Sequence, residues 1–273
     1  MTESQHVGPR ELDDRSVPNA ARVYDYYLGG LHNFTADREF AQQIFTTAPT
    51  VPAITRQNRS FLTRVVDYYL DEGITQFLDI GSGVPTVGNV HEVAQRRIPD
   101  AKIVYVDYEP VAANAARDLL ADNPNATILH ADLRDPDAIL NHPETLELLD
   151  FTRPLGLLMV GVLLFVPDED DPAGLVARYR DVCAPGSLLA ISHITDEHAP
   201  PELKQEMARF VGLYDNANEH IYPRNHAELV SWFAGTELVE PGVTRLCDWR
   251  PVDAAEAEDP AAPLGYGGVG RVL

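Results

Sequence analysis

A chain of 273 residues, 45% apolar and 23% charged, is long enough for one large domain, alone or with a cap, and has the composition of a folded protein. Its formal charge of −21 comes from 42 acidic against 21 basic residues. With no Lys/Arg cluster to neutralise phosphates, it argues against a nucleic-acid substrate and for a small-molecule one. Cys183 and Cys247 form neither a disulfide framework nor a zinc spacing, so no metal site is expected. The polar N-terminus does not read as a signal peptide, and the most apolar run, Leu155–Val166, is too short to span a bilayer. The expectation is a cytoplasmic protein without a membrane partner; the sequence leaves the oligomeric state open.

In chain order, residues 1–16 are polar and expected to be flexible. Ala20, Val23, Tyr24, Tyr27 and Leu28 then fall on one helical face, ended by Gly29-Gly30. Thr35 offers an N-cap for a second helix carrying Phe40, Ile44 and Phe45, and Ile54–Leu70 reads as a third. With no strand signal among them, residues 17–72 read as a helical cap, leaving 73–273 as the ligand-binding domain.

From Gln76 strands and helices alternate. The expected strands are Phe77–Ile80, Ile103–Asp107, Thr127–His130, Leu155–Val162 and Leu188–Ser192. Helices are expected at Val87–Arg97, Pro110–Asp122, Asp135–Leu149 and Pro172–Cys183, then at Pro201–Leu213 and Asn225–Phe233. Glu237–Trp249, an acidic loop Asp253–Pro263 and Tyr266–Val272 close the chain. Alternation implies a parallel sheet covered on both faces. The last two strands, with no helix between them, must run antiparallel to each other. The expected fold is α/β, a seven-stranded Rossmann-like sheet with a reversed last strand and an N-terminal helical cap.

The stretch most informative about function is Thr75–Gly88, TQFLDIGSGVPTVG. It reads as a strand bearing Asp79, a turn at Gly81-Ser82-Gly83, and a helix start whose free N–H groups suit an anion. The sixth position of a dinucleotide fingerprint is Thr86 instead of Gly. D-x-G-x-G-x-P is instead the form seen in S-adenosylmethionine (SAM) methyltransferases. Ligands of such sheets lie beyond the carboxyl ends of the strands. There Asp107 suits ribose hydroxyls and Tyr108 suits stacking on adenine. Asp132 is placed to accept from the adenine amino group, with the Leu133 N–H donating to the ring.

The segments PNAARVYDYYLGGLHNFTADRE, NRSFLTR, QFLDIGSGVPTVGNVHEVAQ, VYVDYEP, PGSLLAISH, ELVEPGV and GYGGVGR resemble the bacterial SAM-dependent methyltransferase family formerly catalogued as a domain of unknown function. The resemblance runs from Val17 to Arg271. It implies a class I methyltransferase fold, an N-terminal helical extension and SAM as cofactor. It matches Asp79, Gly81 and Gly83 to the SAM loop, Asp107 to the ribose acid, and Asp132 with Leu133 to the adenine pair. Two positions depart from relatives: Tyr108-Glu109 stands where they usually read Asn-Asp, and Leu164 where they usually carry His.

A cap that precedes the first strand can fold over its carboxyl end. Arg22, Tyr27 and Asn33 are therefore candidates for the methionyl end of the cofactor, with Asn58 and Arg59 as secondary ones. His193, just beyond the fifth strand, is the candidate general base, although a structural role accounts for it at least as well. His32, His91, His198 and His220 read as surface, lid or structural residues. Two rivals to a methyltransferase with a small-molecule acceptor stay open: a SAM-binding regulator without methyl transfer, and an NAD-type oxidoreductase.

Overall fold

The computed structural model describes residues 15–84, 88–215, 219–252 and 258–273. Three helices come first: α1 (Ala20–Tyr27), α2 (Thr35–Thr47) and α3 (Val51–Asp71). The alternating part runs β1 (Gln76–Ile80), α4 (Val90–Arg97), β2 (Lys102–Asp107), α5 (Pro110–Leu120) and β3 (Ala126–His130). It continues through α6 (Pro136–Leu140), α7 (Pro143–Leu148), β4 (Gly156–Val160), α8 (Pro172–Asp181) and β5 (Leu188–Ile194). The chain ends with α9 (Pro201–Tyr214), α10 (His226–Ser231), β6 (Thr236–Leu238), β7 (Thr244–Arg245) and β8 (Gly265–Val272). Of residues 1–16 only Arg15 and Ser16 are described, with the Arg15 guanidinium 4.6 Å from the centre of the Phe34 ring. Residues 253–257 of the acidic loop lie outside the described residues.

The strands order as β3-β2-β1-β4-β5-β8-β6, with β7 also on β8. Strands β1 to β5 pair in parallel, and β8 runs antiparallel to β5. Leu238 pairs with Gly270 and Thr244 with Gly267, so β6 and β7 share one lane along β8. The sheet therefore has seven lanes, the last split in two. The expected single segment Glu237–Trp249 is broken by the Pro241-Gly242 turn and ends in a 3-10 turn, Leu246–Asp248.

Alternate side chains of every central strand point to opposite faces, and both are buried. Phe77, Ile103, Leu158 and Ala190 pack with α3, α4 and α5; Leu78, Val104, Leu157 and Ile191 pack with α8 and α10 on the other side. Phe61, Val65 and Tyr69, spaced four apart on α3, are fully buried on the first face. Truncating Phe61 to alanine would cost about 3–5 kcal/mol. Helix α3 thus serves two bodies. Its C-terminal half is sheet core, while Val51 and Ile54 join α1, α2 and α9 in a separate apolar cluster.

Two local expectations change. Phe34, not Thr35, holds the N-cap position of α2, because the Asp37 carboxylate accepts the Phe34 N–H at 2.8 Å. β5 extends to Ile194, which puts His193 inside the strand. Among the described residues no helix is long and apolar enough to cross a membrane, and no cluster of His, Cys, Asp or Glu has the makings of a metal site.

Candidate active site

The chain crosses from β1 to β2 on one side and to β4 on the other, and the glycine turn sits at this divergence. The Gly81 and Ser82 N–H groups both donate to the Val106 carbonyl, at 2.8 and 3.1 Å, tying the turn to β2. Gly81 has φ +72°, and a Cβ there would lie 2.1 Å from Val162 Cγ2. No other residue fits. The Gly83 N–H donates to Asp107 Oδ2 at 2.7 Å, and Asp107 Oδ1 accepts the Glu109 N–H at 2.9 Å. Pro85, Thr86 and Val87, which complete the motif, lie outside the described residues.

The helix start after the turn differs from expectation. The Glu92 carboxylate accepts the Gly88 and Asn89 N–H groups, and the His91 N–H donates to the Tyr105 hydroxyl at 2.7 Å. These donors, expected to be free for an anion, are taken up by the helix's own Glu92 and by Tyr105 of β2.

Above the turn opens a cleft of about 1400 Å³, counting its solvent-filled mouth. Asp79, Gly81, Ser82, Gly83, Asp107, Tyr108 and Leu133 line it, as does Tyr27. Burial raises the Asp79 carboxyl to about 7; the Arg59 charge pulls the other way and Asp107 adds to the rise. Burial likewise raises Asp107 to about 6, against the two backbone N–H groups that stabilise its ionised form. Among the described residues Ser82 Oγ has no hydrogen-bond partner though it is buried, and the Tyr108 side chain is exposed at the rim. Leu133 turns its carbonyl away, to the Tyr179 hydroxyl at 2.8 Å.

Three expected residues do not line the cleft. β3 ends at His130, so Asp132 falls in the following turn, where its oxygens accept the Arg134 Nε, both at 3.0 Å, and the Arg134 N–H at 2.9 Å. Burial pushes the Asp132 carboxyl up, but these bonds and the Arg134 charge outweigh it, and its pKa is lowered. Arg22 is spent on Asp37, 3.0 Å from Nε, and on Glu109, 2.9 Å from Nη1. Asn33 donates to Asp25 Oδ2 at 2.8 Å and to the Gly30 carbonyl at 2.9 Å, holding the α1–α2 loop. Of Arg22, Tyr27 and Asn33, Tyr27 alone lines the cleft. Its hydroxyl is buried and has no partner among the described residues, and burial holds the phenol well above its usual pKa.

The secondary candidates, Asn58 and Arg59, also line the cleft. Arg59 lines both the cleft and a small pocket beneath the glycine turn. Asn58 donates to the Tyr24 hydroxyl at 3.2 Å and accepts from Ser192 Oγ at 2.5 Å, joining α3, α1 and β5 at the cleft wall. Leu164 and Phe165 after β4 line the cleft as well, as do Glu219 and Ile221, which fall in the segment 193–222 expected from the sequence to form the acceptor pocket with the cap.

His193 is only 3% exposed but borders the cleft. Its Nδ1 donates to the Ile194 carbonyl at 2.9 Å, its ring packs edge-on to Trp232 at 5.5 Å, and Nε2 makes no hydrogen bond of normal geometry. Burial lowers its pKa to about 4, against the pull of the Ile194 and Leu163 carbonyls and with help from the Arg224 charge. At neutral pH the ring is uncharged and holds a proton poorly.

A reversed strand inserted beside β5, a glycine turn after β1 and a buried acid at the end of each of β1 and β2 define a class I SAM-dependent methyltransferase. The chain belongs to the S-adenosyl methyltransferase family, whose profile matches residues 5–273. It is similar to a DUF574 family protein from Streptomyces avermitilis, with 38% identity over 95% of this chain and 99% of that one, and a TM-score of 0.89. A candidate methyltransferase from Thermobifida fusca is 40% identical over 95% and 96% of the two chains, with a TM-score of 0.88. The N-methyltransferase NodS from Bradyrhizobium japonicum, in complex with S-adenosyl-L-homocysteine (SAH), shares the fold at 13% identity, covering 92% and 98%, with a TM-score of 0.50. No curated protein matches.

Proposed function

We propose that this SAM-dependent methyltransferase acts in the cytoplasm on a small-molecule acceptor, with the cofactor across the ends of β1, β2 and β3. The observation that carries the reading is one cleft with two unlike ends: Asp79, Ser82 and Asp107 at one, and an apolar wall from α1 and α9 at the other. The residues suit the cofactor. Gly81 leaves backbone where a side chain would intrude, Ser82 Oγ lacks a partner among the described residues, and Asp107 keeps lone pairs beyond its two backbone donors.

In this reading Asp79 and Arg59 take the amine and carboxylate of the methionyl end, Ser82 assists, and Asp107 takes the ribose hydroxyls. Tyr108 and Leu133 flank the adenine, while Asp132 shapes the turn instead of touching the ring. SAM supplies a methyl group activated by the sulfonium, whose thioether leaves without needing a proton. The protein's part is alignment and exclusion of water. Residues 17–72 supply the cap, with the C-terminal half of α3 doubling as sheet core, and 73–273 are the cofactor domain. The charge of −21 supports an acceptor other than nucleic acid.

Calorimetric titration with SAM, SAH and NAD tests the cofactor: the first two bind and NAD does not. Incubation with methyl-labelled SAM and a cell extract tests transfer. Binding without any labelled product would favour a SAM-responsive regulator.

A further inference from the structure

An adenosyl group needs only the strand-end half of the cleft. The opposite wall is formed by Tyr27 of α1, Ile54 of α3, Leu164 and Phe165 after β4, Phe210 of α9, and Ile221. Its rings are braced by one another. Phe210 meets Tyr214 edge-on at 5.2 Å, Phe165 lies 6.5 Å from Tyr214, and Tyr27 meets Phe45 edge-on at 5.3 Å. Such a wall offers preformed edges and faces to a flat ring.

Charge is distributed very unevenly. Among the described lining residues Arg59 is the one permanent cation, and it lies with Asp79 and Ser82, which also border the pocket beneath the glycine turn. Glu219 lies at the apolar end, but its oxygens accept the Ala20 N–H at 2.6 Å and the Asn19 amide at 3.3 Å, anchoring the start of α1. His193 is neutral at pH 7. An anion bound against this wall would lose its hydration and find no counter-charge. A cation would gain no carboxylate free of other duties and would face the sulfonium. The wall does hold the buried, unpartnered Tyr27 hydroxyl, which a ligand's own hydroxyl or amine can satisfy.

We propose that this wall is the acceptor subsite for a planar, uncharged aromatic molecule of one or two rings, whose hydroxyl or amino group meets the Tyr27 hydroxyl. The inference rests on the small-molecule methyltransferase reading above, and it excludes phosphorylated and carboxylated acceptors as good ligands.

The test is binding of 2-naphthol, 2-naphthoate and 2-naphthylmethylammonium to the full chain saturated with SAH, followed by calorimetry. The naphthol should bind at least about tenfold more tightly than either ion. Leu164→Asp should weaken naphthol about tenfold or more at unchanged SAH affinity, and Tyr27→Phe should weaken it several-fold. If Leu164→Asp loses SAH as well, Phe210→Ser serves as the second probe of the wall. Naphthoate or ammonium binding as tightly as naphthol, no naphthol binding, or indifference to the wall substitutions would overturn the proposal. Failure of the wild-type chain to bind SAH would instead sink the cofactor reading, and the three probes would still decide the subsite on the free protein.

Discussion

Arg22 Nη1 and Glu109 Oε1 meet at 2.9 Å with both side chains buried, which bolts the first cap helix to the loop that carries Asp107. Glu109 also caps α5 by accepting the Ala112 N–H at 2.7 Å, and its own N–H donates to Asp107. Asp107 in turn holds Gly83. One chain of contacts thus runs from the cap to the glycine turn. Removing one partner of a buried pair costs about 3–5 kcal/mol, and here Arg22→Met would strand two carboxylates, Asp37 and Glu109. The expected result is a fall in melting temperature of roughly 6–20 °C at about 2–4 °C per kcal/mol. SAM affinity should weaken about tenfold, because the Asp107 loop loses its anchor. Scanning calorimetry and SAM titration of the variant check both; a lower melting temperature with unchanged affinity would make the pair structural only.

Gly81→Ala should damage the turn by two separable routes. The φ of +72° costs an L-residue about 1 kcal/mol, and the new methyl would overlap Val162 Cγ2 at 2.1 Å. Gly81→Ala is expected to bring SAM affinity below detection in a chain that still folds. Val162→Ala added to it should recover part of the affinity by removing the overlap while the backbone strain remains. Circular dichroism and SAM titration of both variants test this; no recovery in the double variant would assign the whole loss to backbone strain.

The two raised carboxyls give SAM binding a pH dependence whose sign can be worked out. Asp79 titrates near 7 and Asp107 near 6 in the free protein, against 3.8 in an unfolded chain. The native state therefore keeps protons that the unfolded chain releases. This contribution to stability is complete below pH 3.8 and is lost as pH rises through 6 and 7. A bound ammonium and sulfonium favour the ionised carboxylates, so binding expels protons. Affinity should rise between pH 5 and 8, by at most about tenfold per pH unit for each proton released. Asp79→Asn should flatten the upper part of this rise. Calorimetry at pH 6.5 in buffers of different ionisation enthalpy counts the protons directly; zero release would contradict the assignment.

The succession of strands and helices, the reversed strand and the turn after β1 were legible because each follows from a local pattern: apolar alternation, glycine spacing, and two strands without a helix between them. The direction a side chain takes was not. Asp132 reads as a strand-end acid, yet Arg134, two residues on within a turn, captures it, and no helix or strand periodicity reports such a pairing. Arg22 reads as a fork for a carboxylate, which is correct chemistry with protein partners, Asp37 and Glu109. Asn58 and Arg59 look like one polar patch on a long helix. They reach the cleft only because the stripe Phe61–Val65–Tyr69 sets α3 across the sheet.

His193 is the residue for which exposure decides the chemistry. Placed just past the strand it would be a solvated imidazole titrating near 6.5, suited to taking a proton. Inside β5 it is 3% exposed and its pKa is lowered to about 4. The conjugate acid is then so strong that the ring gives little driving force for removing a proton from a hydroxyl, and its remaining service is as a hydrogen-bond acceptor or a packing surface on Trp232. In proton NMR of the free protein the His193 ring resonances should stay at their neutral positions from pH 8 down to pH 5. His193→Gln should leave SAM affinity within about threefold of the wild type, since no cofactor contact is assigned to the ring. A His193 midpoint between pH 6 and 7 would restore it as the base.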